Sequence, residues 1–153
     1  MADDNRSDAL QKIVQHHVAL QSAFLKDPRY NLEAYQFVCQ AVDHTCRKLG
    51  GRRDVSGREL LDGICDLALE QFGFLARLVF EHWGIRRTDA FGDIVFSLVD
   101  VGLLRKSERD RKADFHEVFP LRQALDQRYQ IQLDDDLPTP RELAIWPHQE
   151  TPE

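Results

Sequence analysis

Much about this chain is set by what it does not contain. No apolar run approaches the roughly 18–20 residues needed to cross a membrane. The opening MADDNRSDALQKIV is acidic and polar, where a secretory leader is basic and then apolar. Three cysteines, Cys39, Cys46 and Cys65, cannot all pair, and each falls inside an apolar helical pattern. Reduced, buried thiols and a cytoplasmic location are the expectation. No H-E-x-x-H, G-x-S-x-G, Walker-type loop or dinucleotide fingerprint occurs, nor any internal repeat or low-complexity tract.

Metal and catalytic candidates are correspondingly thin. Cys39, Asp43 and Cys46 recur at i, i+4 and i+7 and share a helical face. The paired C-x2–4-C or H-x3–5-H spacings of zinc sites are missing. Glu81-His82-Trp83 and His16-His17 are neighbours in sequence, and neighbours on a helix point in different directions. His82 close to a helix C-terminus is explained by the dipole alone. The chain therefore reads as a non-enzyme with no cofactor and no metal site.

What is present is a single domain's worth of helix. The 153 residues, 42% hydrophobic and 30% charged, have the composition of an ordinary globular chain with enough length to bury a core. The period predicts a first helix from Asp3 to Lys26, with Leu10, Ile13, Val14, His17, Val18, Gln21 and Phe24 on its inner face. Pro28 stops it. Asn31 caps a second helix with Tyr35, Val38, Val42, Thr45 or Cys46, and Leu49 inward, and Gly50-Gly51 ends it.

From Ser56 to Phe119 the order becomes helix, helix, helix, hairpin. Ser56-Gly57-Arg58-Glu59 is a capping box opening a helix apolar at Leu60, Leu61, Ile64, Cys65, Leu67, Ala68 and Phe72. Gly73 closes it, and a short helix from Phe74 to Trp83 turns Leu75, Leu78, Val79 and Trp83 inward. Gly84 closes that one. Thr88 is placed to cap the next, whose core face is Phe91, Ile94, Val95, Leu98 and Val99, and Gly102 stops it. Leu103-Leu104-Arg105 and Phe115 to Phe119 are candidate strands of a β-hairpin. A weak helix follows Pro120 to about Tyr129.

The fold predicted is thus mainly α. Two N-terminal helices pack on a winged-helix-like three-helix unit with a small β-hairpin, followed by an acidic, proline-containing tail. Residues 7–121 form one domain, and 122–153 form a partly disordered tail marked by Asp134-Asp135-Asp136, Pro138, Pro140, Pro147 and Pro152. Leu143, Ile145 and Trp146 stand out within that tail as a short apolar latch or docking peptide.

At these residues the chain resembles a known family. The runs are Tyr35-x-Phe37-Val38 to Arg47-Lys48-Leu49-Gly50; Ser56-Gly57-x-Glu59-Leu60-Leu61-x-Gly63-Ile64; Leu69-Glu70-Gln71-Phe72-Gly73; Gly84-Ile85-x-x-Thr88-x-x-Phe91-Gly92-x-Ile94; and Asp114-Phe115-x-x-Val118-Phe119. They resemble an uncharacterised conserved bacterial family described as restricted to planctomycetes and verrucomicrobia. The likeness covers roughly Asn31 to Phe119. It implies one intact domain and carries no activity or site residue with it.

Charge supplies the functional candidates. The net charge is −6, which argues mildly against a dedicated nucleic-acid binder. Arg105 to Lys112 holds five basic and two acidic residues, and Pro120 to Glu153 holds three basic and seven acidic. Basic tip and acidic tail are able to pair with each other or to select different partners. Glu59, Asp62, Asp66 and Glu70 recur at helical spacing on one outward face, which costs a few tenths of a kcal/mol per like-charge pair. A docking surface for an unidentified protein partner, formed by those four with Trp146, is the first reading. The alternative is nucleic-acid binding through Arg86, Arg87, Arg105, Lys106, Arg109, Arg111 and Lys112. Against it, the third helix of the winged unit turns Asp89, Asp93, Ser97 and Asp100 outward and has no Arg, Lys, Asn or Gln from Asp89 to Val101.

Overall fold

A computed structural model describes residues 2–51 and 54–129. Among these there are six α-helices and two 3-10 turns, and no strand. The helices are α1 (Ala2–Lys26), α2 (Leu32–Lys48), α3 (Gly57–Phe72), α4 (Ala76–His82), α5 (Thr88–Asp100) and α6 (Leu121–Arg128). The 3-10 turns are Gly73–Leu75 and Lys112–Phe115. No described helix is long and apolar enough to cross a membrane.

The helix starts follow local chemistry. Asn31 accepts from the Glu33 amide at the head of α2, and the Ser56–Glu59 capping box closes reciprocally at 3.1 and 3.2 Å at the head of α3. α2 and α3 pack closely because Gly63 has no side chain: a Cβ there would collide with the Thr45 hydroxyl. Thr45 is itself buried and donates to the Ala41 carbonyl at 2.7 Å. Below this pair lies the aromatic centre of the core, in which Phe80 stacks edge-on against both Phe37 (5.8 Å) and Phe91 (5.3 Å). Trp83 packs against Phe37 and Phe72 and donates its indole N–H to Glu33.

The hairpin and the winged-helix arrangement do not form. The expected return strand, Phe115 to Phe119, instead begins as the last residue of the Lys112–Phe115 turn, in which the Arg111 amide donates to the Asp114 carboxylate at 2.9 Å. Glu117 has φ +43°, which no strand accommodates. The backbone donors that a ladder would use are taken by α5. The Asp89 carboxylate accepts from the Glu117 amide (2.8 Å), and the Thr88 hydroxyl accepts from the Val118 amide (3.1 Å). Thr88 also donates to the Phe115 carbonyl at 2.7 Å. It therefore does not cap α5; Arg87 occupies that position without a side-chain cap bond. On the other expected strand, the Leu103 and Leu104 amides both fold back to the Leu98 carbonyl. Gly92 lets the turn sit directly on α5, since a Cβ there would lie 2.9 Å from that of Phe115.

Three further expectations about faces need correction. In α1, Leu10, Ile13, Val14 and Val18 are 63%, 56%, 59% and 56% exposed, and His17 and Gln21 are exposed as well. Only from Leu20 onward does α1 pack, through Leu20, Ala23 and Phe24. The helix outruns the rest of the described residues, so none of them covers its first half. In the stretch expected to be the short helix, Leu75 and Leu78 are exposed while Ala76 and Phe80 are buried. The Gly73–Leu75 turn advances by about 120° per residue instead of 100°, and this rotates the register of everything after it. In α2, Thr45 is the buried member of the Thr45/Cys46 pair, and Leu49 is exposed.

α6 extends the packed unit past residue 121. Leu121 and Leu125 are buried, and Arg128 reaches back to α3.

Candidate functional site

The four acidic residues of α3 are largely spent within the molecule. Asp62 accepts from Arg128 at 2.7 Å and lies 3.5 Å from Arg58; Asp66 pairs with Lys48 and lies 3.7 Å from Arg128. The Arg128 guanidinium, held charged first of all by Asp62, also sits over the Phe119 ring at 5.6 Å, and Arg58 lies over the same ring at 5.0 Å. These carboxylates thus fasten α6 and α2 onto α3. Glu59 serves the capping box, and Glu70 is exposed. Trp146 lies outside the described residues.

The carboxylates of α5 are equally committed. Asp93 gathers the Tyr30 hydroxyl (2.7 Å), Arg29 (3.2 Å) and Lys112 (2.8 Å). Asp89 holds His116 Nδ1 at 2.6 Å in addition to the Glu117 amide. The backbone amide and His116 keep the Asp89 carboxyl below its ordinary range, and Asp89 in turn raises His116. Outward-facing in sequence, these groups are fasteners in the fold.

Of the basic set, Lys112 is therefore tied down, and Lys106 lies over the Phe96 ring at 5.5 Å. Arg86, Arg87, Arg105, Arg109 and Arg111 are exposed and make no side-chain ion pair among the described residues.

The structure places something the sequence reading missed beside Arg105 and Lys106. A cavity of about 390 Å³ opens between the last turns of α2, the head of α3, the middle of α5 and the 104–115 segment. That volume falls in the range of roughly 300–1,000 Å³ typical of sites that enclose a ligand group. Its floor is apolar, formed by Val42, Val55, Leu60, Val95, Phe96 and Leu104 with Phe115. Its rim carries Arg47, Arg105 and Lys106 against Asp43, Asp110 and Asp114. Two of those carboxylates already serve backbone amides: Asp110 accepts from Ser107 at 2.8 Å, and Asp114 from Arg111. The head of α3, with its positive dipole end, closes one edge through Ser56 and Gly57. A polar depression adjoins it over the same helix end, lined by Ser56, Ser107, Arg58 and Arg109 together with Asp54, Glu59, Asp110 and Asp114.

Cys46 lines this cavity, half-buried. Burial pushes the Cys39 thiol up to about 11 and the Cys65 thiol to about 12, so both are protonated near neutral pH. Among the described residues no three His, Cys, Asp or Glu side chains gather as metal ligands. The arrangement joins an apolar floor to a rim of three basic and three acidic side chains.

One signal for the cavity was present in the sequence. Val95-Phe96 makes the apolar stripe of α5 wider than a helix packed on one side requires, and Leu103-Leu104 runs straight into Arg105-Lys106. No protein-family model matches this chain, and neither does any curated protein or solved structure.

Proposed function

We propose that this chain is a small, non-enzymatic, cytoplasmic protein-interaction module. Its cavity between α2, α3 and α5 receives a large apolar side chain from an acid-flanked segment of a partner protein. The observation that carries the reading is the composition of that cavity: an apolar floor beneath Arg105 and Lys106, with the α3 dipole at its edge. Interfaces draw most of their energy from a buried anchor in such a pocket, with charged rims adding specificity and speed of encounter. The acidic face of α3 supports the reading less, because Asp62 and Asp66 have partners within the chain.

Selection of a displayed random-peptide library on the full chain tests this, with counter-selection on an Arg105→Glu/Lys106→Glu variant. The expected outcome is enrichment of peptides with an aromatic or branched aliphatic anchor next to Asp or Glu, binding the variant at least tenfold more weakly. Enriched peptides that lack the pattern, or that bind both proteins alike, overturn it.

The exposure of Arg86, Arg87, Arg105, Arg109 and Arg111 favours a second reading, nucleic-acid binding through the basic loop. It requires that Arg109→Ala with Arg111→Ala weaken duplex binding and flatten its salt dependence. Absence of binding at low salt removes it.

A further inference from the structure

The cavity has a candidate occupant in the same polypeptide. We propose that the C-terminal segment carrying Leu143, Ile145 and Trp146 docks in cis into the α2–α3–α5 cavity and competes there with the partner segment. The proposal rests on the reading of that cavity as a receptor for acid-flanked apolar residues, and it names the regulator of the same site.

Three observations converge on it. The first is chemistry. Residues 130–153 hold six acidic residues and one basic, Arg141, and their largest apolar group, Leu143 to Trp146, directly follows Arg141-Glu142. An apolar cluster with a carboxylate beside it suits the apolar floor and the Arg105 and Lys106 side of the rim, opposite Asp43, Asp110 and Asp114. Nothing else in the tail resembles it, since Ile131, Leu133 and Leu137 flank the Asp134–Asp136 run singly.

The second is reach. The described chain ends at Tyr129, whose ring packs 6.4 Å from that of Phe74, immediately after the C-terminal end of α3. The cavity borders the other end of α3, sixteen residues and so about 24 Å away along the helix. The fourteen residues from 130 to 143 extend to about 46 Å, enough to return along α3 with slack for Pro138 and Pro140.

The third is effective concentration. A tether of this length holds its end at roughly millimolar local concentration, so even a weak contact is populated, whereas a partner must exceed that threshold to displace it. Arg105 is exposed and free of any ion pair among the described residues, so an arriving carboxylate displaces no existing partner there.

Cys46, half-buried in the cavity wall, reports occupancy, and Cys39 on the same helix reports that the fold is intact. The experiment compares iodoacetamide labelling rates in the full chain and in a full-length Leu143→Ala/Ile145→Ala/Trp146→Ala variant, read at each cysteine by peptide mass spectrometry. Cys46 is expected to label at least fivefold faster in the variant, with Cys39 unchanged. Glu142→Lys is expected to accelerate Cys46 as well, and adding Arg105→Glu/Lys106→Glu to it should restore protection.

Equal Cys46 rates in the parent chain and the triple-alanine variant overturn the proposal. So does protection that vanishes on dilution, which assigns the contact to a second copy. A peptide from the library selection, added to the triple-alanine variant, separates the two claims. If it slows Cys46 labelling there while parent and variant label alike, the cavity reading stands and the tail proposal falls. If it leaves the rate unchanged, the partner reading falls on its own account.

Discussion

Helices α1 and α5 pack against each other and carry apolar stripes of similar spacing, yet they are held in very different ways. In α5, Phe91, Ile94 and Leu98 are fully buried, and the polar side is fastened as well: Thr88 and Asp89 clamp the 115–118 turn, and Asp93 holds Arg29, Tyr30 and Lys112. In α1, packing begins only at Leu20, and Leu10, Ile13, Val14 and Val18 stand in solvent. The difference is one of neighbours. A helix in the middle of a small domain is covered on several sides. One that starts beyond the body of the domain keeps its period and loses its burial, and a free helical stretch of that length is marginal in water.

The contrast is sharpest in a core truncation. Phe91→Ala, which empties the point where α5 meets Phe80, is expected to cost about 3–5 kcal/mol in denaturant unfolding. A loss below about 1 kcal/mol would mean that α5 is less central than its burial indicates. Next in size is Thr88→Val, which keeps shape but removes the hydroxyl serving the Phe115 carbonyl and the Val118 amide. It is expected to cost about 1–3 kcal/mol and to speed amide exchange at Val118, because a buried carbonyl is left without a donor.

A smaller effect belongs to the exposed part of the same clamp. His116 faces Asp89 and Glu117, with Arg87 opposing, and its pKa stands above the ordinary 6.5, chiefly through the hydrogen bond to Asp89. Its contribution is complete below 6.5 and is lost as pH rises through the raised value. Asp89, lowered from 3.8 by the Glu117 amide and then by His116, contributes above 3.8 and loses its contribution as pH falls through the lowered value. The clamp is therefore tightest between about 4 and 6.5 and loosens on the alkaline side. Titration of the His116 ring by NMR checks this, and Asp89→Asn is expected to return His116 to its ordinary range.

The smallest expected effect is at α1. Ile13→Ala should change unfolding free energy by no more than about 0.5 kcal/mol, independent of protein concentration. A larger, concentration-dependent loss would break the comparison, because it would mean that another copy covers the stripe in solution.

The helices themselves were legible because their signals are local. Asn31, the Ser56–Glu59 box and Gly84 fix starts and stops through bonds a few residues long. The β-hairpin does not form because a period of two over five residues is short, and because two amides and a carbonyl it needed are bonded to side chains 27 to 30 residues upstream. The acidic face of α3 was visible, but its partners Lys48 and Arg128 were not, since they come from other helices. The cavity left only a faint signal, in the wide stripe at Val95-Phe96, for the same reason: its walls are drawn from α2, α3, α5 and a loop.

By itself the sequence determined a mainly helical chain, where most of its helices begin and end, and which side of α3 and α5 is apolar. Those features depend on contacts within one or two turns. Only the tertiary structure decided that Thr88 and Asp89 hold a turn rather than flank a groove, that half of α1 is left uncovered, and that Arg105 and Lys106 stand at the mouth of an apolar cavity. Each of these depends on which surfaces meet across the fold, and periodicity along a single helix carries no record of that.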